Sequence, residues 1–147
     1  MSFLVDTNIF NKLLDGTILL ESLPTGCPYV ATHIQIDEIN NTSNAGRRAQ
    51  LFLMFAKVSP KIIPTESFVF DISRWGECKW SDGVLHNKLK RELDSLNNSK
   101  ANNTNDVLIA EVAIVSNYTL ITADKHLADL VKDNLGQSIY LDYNTSI

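Results

Sequence analysis

The sequence predicts an α/β fold, with a central, mainly parallel sheet of four to five strands covered by helices on both faces. Three observations carry that expectation. Short apolar runs recur along the chain, at Phe3 to Val5, Tyr29 to Thr32, Lys61 to Pro64, Tyr118 to Thr122 and Ile139 to Leu141, each too short for a helix. Between them lie longer stretches in which apolar residues return every three or four positions. The two kinds of segment alternate, which is the pattern of βαβ units rather than of hairpins. The 147 residues suffice for one domain, and a chain of that size can bury roughly 68–70% of its unfolded surface. The expected organisation is one domain over residues 1–147, with a longer connecting segment at about 65–105.

Each element has its own warrant. The run Phe3-Leu4-Val5 stops at Asp6 and reads as a buried strand. From Asn8 to Leu20, Ile9, Leu13, Leu14 and Ile18 fall at near-helical spacing, and Pro24, Gly26 and Pro28 then mark a turn. Tyr29 to Thr32 is the second strand. A helical pattern resumes at Ile34 with Ile36 and Ile39, frays into Asn40-Asn41-Thr42-Ser43-Asn44, and continues from Gln50 to Phe55. Pro64 ends a third strand. Residues 65–82 show no clear period and hold Phe68, Phe70, Trp75 and Trp80; the tryptophans suit packing under a long connection, and exposed ones would stack bases or mark a partner surface. Leu85, Leu89, Leu93 and Leu96 share one face of a helix from Val84 to Leu96. An Asn-rich polar loop follows at 97–105. Asp106 to Asn117 is apolar nearly all round, a buried helix that leads into the strand Tyr118 to Thr122. Leu127, Leu130, Val131 and Leu135 mark the last helix, with Gly136 placed as its left-handed terminator, before the final strand.

Composition narrows the function classes. Hydrophobic residues at 44% and charged residues at 20% exclude a disordered chain. No run approaches the ~20 apolar residues of a membrane span. Asp6 interrupts the first apolar run and no basic segment precedes it, so no signal peptide is expected. Cys27 and Cys78 are too few for a disulfide scaffold and lack zinc-site spacing, which suits a reduced, cytoplasmic protein. Thirteen basic against seventeen acidic residues leave a net charge of −4, which argues against coating nucleic acid by bulk charge. It does not exclude an enzyme that meets a phosphodiester through metal ions, whose acidic residues are then themselves the site.

The acidic residues fall in a pattern. Ligands of an open parallel sheet bind outside the carboxyl ends of its strands. Asp6 ends the first strand and Asp124 lies just past Tyr118 to Thr122. Glu38 lies early in the helix after the second strand, with Asp37 beside it as the alternative; Ile34, one turn back on the same face, favours Glu38. Asp106 begins a helix that must run back against the strand it feeds. It shares a face with Ile109, Ala110 and Ala113, which turns it inward, whereas Glu111 lies on another face and reads as structural or solvated. Taken singly, such residues cap helices or close turns. Together, ionised carboxylates repel, and an oxygen-only cluster becomes sensible around a hard cation such as Mg²⁺ or Mn²⁺.

With Leu4-Val5-Asp6-Thr7-Asn8, Glu38-Ile39, Asp106 with Ile109-Ala110 and Ala113, and Leu120-Ile121-Thr122-Ala123-Asp124, the chain resembles the PIN-domain nucleases, and by its length and start the VapC-like toxins of type II toxin–antitoxin pairs. The resemblance implies a PIN-like three-layer α/β/α sandwich and a Mg²⁺- or Mn²⁺-dependent endoribonuclease acting on RNA. It implies a homodimer and a cognate antitoxin protein as partner. It implies that Asp6, Glu38, Asp106 and Asp124 are the catalytic, metal-binding carboxylates, and that Asn8 and Thr122 orient them. The segment from Ile63 to Asp106 is longer than in compact toxins, so a PIN-fold nuclease outside toxin–antitoxin systems, or a non-catalytic PIN-like interaction module, is the alternative. An aspartyl phosphatase would need a second Asp where Asn8 stands, and a phosphoacceptor domain would need an acidic pair after the first strand. Arg47, Arg48, Lys57, Lys88 and Arg91 are possible phosphate contacts, each equally suited to a solvated face. His33, His86 and His126 pair with no nucleophile motif.

Overall fold

In the computed structural model, residues 2–58, 60–63, 84–97 and 103–141 are described. The elements run β1 (Phe3–Val5), α1 (Thr7–Asp15), β2 (Tyr29–Ala31), α2 (His33–Asn40), α3 (Ala45–Val58), β3 (Lys61–Ile62), α4 (Val84–Asn97), α5 (Asn103–Val115), β4 (Thr119–Thr122), α6 (Lys125–Asp133) and β5 (Gln137–Tyr140), with one turn of 3-10 helix at Leu20–Ser22. Trp75, Trp80 and most of the Asn-rich loop lie outside the described residues.

The strands form one five-stranded sheet in the order β3-β2-β1-β4-β5, and every pairing is parallel. In its register, Leu4 stands opposite Leu120, Val5 opposite Ile121, and Thr122 opposite Tyr140. Side chains alternate across the sheet. Leu4, Val30 and Leu120 face one layer, where Leu89 and Leu93 of α4, Val107 to Ala110 of α5 and Leu127, Leu130 and Val131 of α6 cover them. Phe3, Val5 and Ile121 face the other, packed by Ile9, Phe10 and Leu13 of α1 and Leu51 of α3. The result is the expected three-layer sandwich. Helix α2 gives Ile34 to the first core and Ile39 to the second, so it crosses the rim of the sheet. Connections leave β1 in one direction and β4 in the other. The crevice at the carboxyl ends of this central pair is therefore the topological switch point of the sheet.

Several boundaries differ from expectation for local reasons. Helix α1 stops at Asp15, because Gly16 takes a left-handed φ of 79° and its N–H turns back onto Leu13 and Lys12. Helix α3 starts at Ala45, before its apolar stripe, with the Asn44 side chain accepting from the Arg47 N–H at 2.9 Å. Helix α5 begins three residues ahead of Asp106, which thus sits within its first turn rather than at its head. At the end of α6 the left-handed residue is Leu135, φ 69°, and not Gly136. Gly136 serves space instead: a Cβ there would lie 2.6 Å from Val131 Cγ1 and 3.0 Å from Ile114 Cγ1.

Candidate active site

Asp6 leaves β1 at the switch point and is 4% exposed. Its backbone N–H still bonds the Ile121 carbonyl at 2.9 Å, which continues the β1–β4 ladder and aims the side chain over the crevice. The carboxylate is used on both oxygens. Oδ1 accepts the Thr7 N–H at 2.8 Å, so Asp6 caps α1, and Oδ2 accepts the Thr122 hydroxyl at 2.7 Å.

Thr122, the wholly buried last residue of β4, gathers the other groups. Its Oγ1 accepts from the Asp124 N–H at 3.0 Å and from Asn8 Nδ2 at 3.3 Å, and Asn8 Oδ1 accepts the Ala123 N–H at 3.1 Å. Asp124 caps α6, its Oδ1 accepting the N–H groups of His126 and Leu127 at 3.0 and 3.3 Å. Asp6 and Asp124 are thus both helix caps and neighbours in one network. The ordinary role and the special placement coexist, since a cap on the carboxyl side of a parallel strand lies at the sheet's binding edge.

Glu38 comes from α2 on the other side of Asp6, where its Oε1 accepts the Thr7 hydroxyl at 3.0 Å. Helix α2 is fixed by Gln35, which is wholly buried. Gln35 Oε1 accepts both the Thr32 N–H and its hydroxyl, at 2.8 and 2.6 Å, while Nε2 donates to the Val5 carbonyl at 2.9 Å. Thr32-x-x-Gln35 is a capping box, a pattern legible in the sequence although neither residue is a carboxylate. Thr7 carries no such signal and becomes visible only through the approach of α2.

The electrostatics follow from this geometry. Burial pushes Asp6 up to about 6 and the Asp124 charge adds to the rise, while hydrogen bonds from Thr122, Thr7 and Asn8 oppose it. Burial pushes Glu38 up to about 7, with the charges of Asp6 and Asp37 adding to it and the Thr7 hydroxyl opposing. Carboxylates that raise their neighbours in this way form a locus of uncompensated negative charge.

Asp106 is 7% exposed, turned inward as expected. Helix α5 returns into β4 through a bond from the Tyr118 N–H to the Ala113 carbonyl, so the two run antiparallel. Glu111, on another face, is also buried, at 2% exposure. Among the described residues, no three His, Cys, Asp or Glu side chains close into a ready-made chelate. The structure links Asp6 to Asp124 through Thr122 and to Glu38 through Thr7, while Asp106 is carried on the separate helix α5. The donor chemistry fits a hard divalent cation. Mg²⁺ is commonly held by one or two carboxylates while keeping several waters, and a cation here would relieve the repulsion between Asp6 and Glu38.

The candidate phosphate contacts divide. Arg47 is held by Asp15 at 2.8 and 3.2 Å and by Asn11 at 2.9 Å, and Arg48 donates to the Thr42 carbonyl. Lys57 lines a cleft of about 310 Å³ with Leu20, Leu23, Cys27 and Tyr29, at the amino end of the strands. Lys88 stands 3.8 Å from Glu92, and Arg91 is exposed on α4.

Compared with solved structures, the chain matches part of the VapBC2 complex from Rickettsia felis bound to a DNA fragment from its promoter. The TM-score is 0.61 at 19% identity, over 97% of this chain and 100% of that one. VapBC-5 from Mycobacterium tuberculosis, of the VapBC family of toxin–antitoxin systems, matches with a TM-score of 0.50 at 17% identity, over 95% and 98%. A domain of a functionally unknown protein from Methanocaldococcus jannaschii matches with a TM-score of 0.53 at 15% identity, over 96% and 91%. No protein-family profile and no curated protein matches the chain. The structure is a PIN-like α/β fold, and its structural neighbours include VapBC toxin–antitoxin complexes.

Proposed function

We propose that this chain is a divalent-metal-dependent endoribonuclease of the PIN type and the toxin of a toxin–antitoxin pair. The observation that carries the catalytic part is the pairing of buried Asp6 with half-buried Glu38, held side by side at the switch point with Asp124 in the same hydrogen-bond network. The RNA substrate, the homodimer and the antitoxin partner rest on the resemblance to PIN nucleases, supported for the antitoxin by the two VapBC neighbours.

Asp6, Glu38, Asp106 and Asp124 are the residues that would hold Mg²⁺ or Mn²⁺. Bound there, the ion supplies Lewis acidity toward a water molecule and the scissile phosphate. Thr122 and Asn8 fix the direction of Asp6 and Asp124, and the burial of Asp6 keeps bulk water from competing for its oxygens. The Thr7 hydroxyl fixes the direction of the Glu38 carboxylate. In-line attack leaves a 5′-phosphate and a 3′-hydroxyl and needs no ribose 2′-OH. Preference for RNA must therefore come from the walls of the groove and not from the bond broken.

The test is cleavage of an RNA and a matching DNA oligonucleotide after metal stripping, with Mn²⁺ restored. Wild type is expected to cut RNA to 5′-phosphate ends only when Mn²⁺ is present. Asp6→Asn and Asp106→Asn are expected to lose at least about a hundredfold in rate with an unchanged circular dichroism spectrum. Wild-type cleavage by either variant overturns the assignment.

A further inference from the structure

Thr7 stands between the two raised carboxylates and spends a different group on each. Its backbone N–H donates to Asp6 Oδ1 at 2.8 Å and its hydroxyl donates to Glu38 Oε1 at 3.0 Å. At 7% exposure it is shielded from water, which would otherwise compete for both bonds. Starting α1 does not require the hydroxyl, since Asp6 already caps that helix. The hydroxyl instead reaches a second helix, 31 residues further along the chain. That helix is anchored independently by Gln35, bonded to the carbonyl of Val5 just ahead of Asp6. Gln35 and Glu38 are three residues apart and lie on one face of α2. Glu38 is thus located at both ends: its helix is tied to the tip of β1 and its carboxylate to the start of α1. Holding one carboxylate against another opposes folding when no cation is present. The arrangement is intelligible as preparation for a ligand of opposite charge.

We propose that Thr7 is a positioning residue whose hydroxyl fixes the Glu38 carboxylate beside Asp6, so that both present oxygens to one divalent cation. This rests on the metal-dependent reading above and adds to it a residue outside the carboxylate set. Thr7→Val keeps the shape and the backbone bond to Asp6 and removes only the hydroxyl; Thr7→Ser keeps the hydroxyl.

Calorimetric titration of Mn²⁺ into the metal-stripped full chain reads the effect directly, without turnover. Thr7→Val is expected to bind Mn²⁺ about tenfold more weakly than wild type. Thr7→Ser is expected to stay within about twofold, and Asp6→Asn to lose binding. In a Glu38→Ala background, Thr7→Val is expected to add less than about a twofold loss, because the partner of the hydroxyl is already gone. Should Thr7→Val not fold, Thr7→Ala makes the same deletion at a position where alanine suits a helix start. Wild-type affinity in the hydroxyl-less variant, or the same loss with and without Glu38, overturns the role of Thr7 and leaves the metal reading standing. Failure of wild type to bind Mn²⁺, or binding that survives Asp6→Asn, overturns both.

Discussion

Thr122 shows how much a single side chain can determine. One hydroxyl donates to Asp6 and accepts from both the Asp124 backbone and Asn8, so one buried atom relates both strand ends and the start of α1. The carboxylates it organises leave a measurable trace on stability. Asp6 rises from 3.8 to about 6 and Glu38 from 4.5 to about 7, so between about pH 4 and 7 the folded state holds protons that the unfolded state has released. Folding stability of the metal-free protein is therefore full below the unfolded values. It falls as pH rises through that window and levels off above the folded values. Since each tenfold change in proton affinity is worth ~1.4 kcal/mol, Asp6 alone accounts for a loss on the order of 3 kcal/mol. Urea unfolding at pH 5 and pH 8 is expected to show a higher midpoint at pH 5 in wild type. The difference should shrink clearly in Asp6→Asn, and equal midpoints in wild type would contradict the charge assignment. That Asp6 and Asp124 follow two strands of the sheet, and that Glu38 lies in the helix after a third, was legible from strand and helix order alone. The bonds from Thr7 to Glu38 and from Gln35 to Val5 were not, because they depend on how closely α2 approaches β1, and no spacing along the chain encodes that distance.

At the scale of elements, apolar periodicity located the strands and the helices that face the core, and it misplaced their ends. Helix α3 begins among Ala45, Gly46 and the paired arginines, where Asn44 caps a turn that has no apolar stripe to betray it. The end of α6 is more instructive. A glycine after a helix suggests a left-handed terminator, yet Leu135 takes the positive φ and Gly136 fills a place where Ile114 and Val131 leave no room for a methyl group. The two needs, backbone conformation and close approach, look the same in sequence because both are met by glycine. They separate under mutation. Leu135→Gly, at a side chain 96% exposed, is expected to stabilise by about 1 kcal/mol through relief of the left-handed strain. Gly136→Ala is expected to destabilise by roughly 1–3 kcal/mol through overpacking. Thermal unfolding of both variants checks the pair, and stabilisation by Gly136→Ala would refute the close-packing explanation.

For the molecule as a whole, a ligand that binds the folded carboxylates and not the unfolded chain must raise the melting temperature. At a Mn²⁺ concentration 100 times the dissociation constant the gain is ~2.7 kcal/mol, or roughly 5–10 °C for a chain of this size. Wild type is expected to show that rise and Asp6→Ala to show none; an equal rise in both would place the ion elsewhere. Three-layer architecture and parallel pairing could be read from the alternation of segments, since short apolar runs separated by helices admit few other solutions. The pairing of β1 with β4 has a further consequence for synthesis. Phe3 lies beside Thr119 and Val5 beside Ile121, so the first strand made must wait for almost the last. A polypeptide still emerging from the ribosome and lacking β4 has no Thr122 to orient Asp6 and no Asp124 at all. On the proposed activity, a copy whose synthesis has not yet passed β4 therefore lacks the organised site.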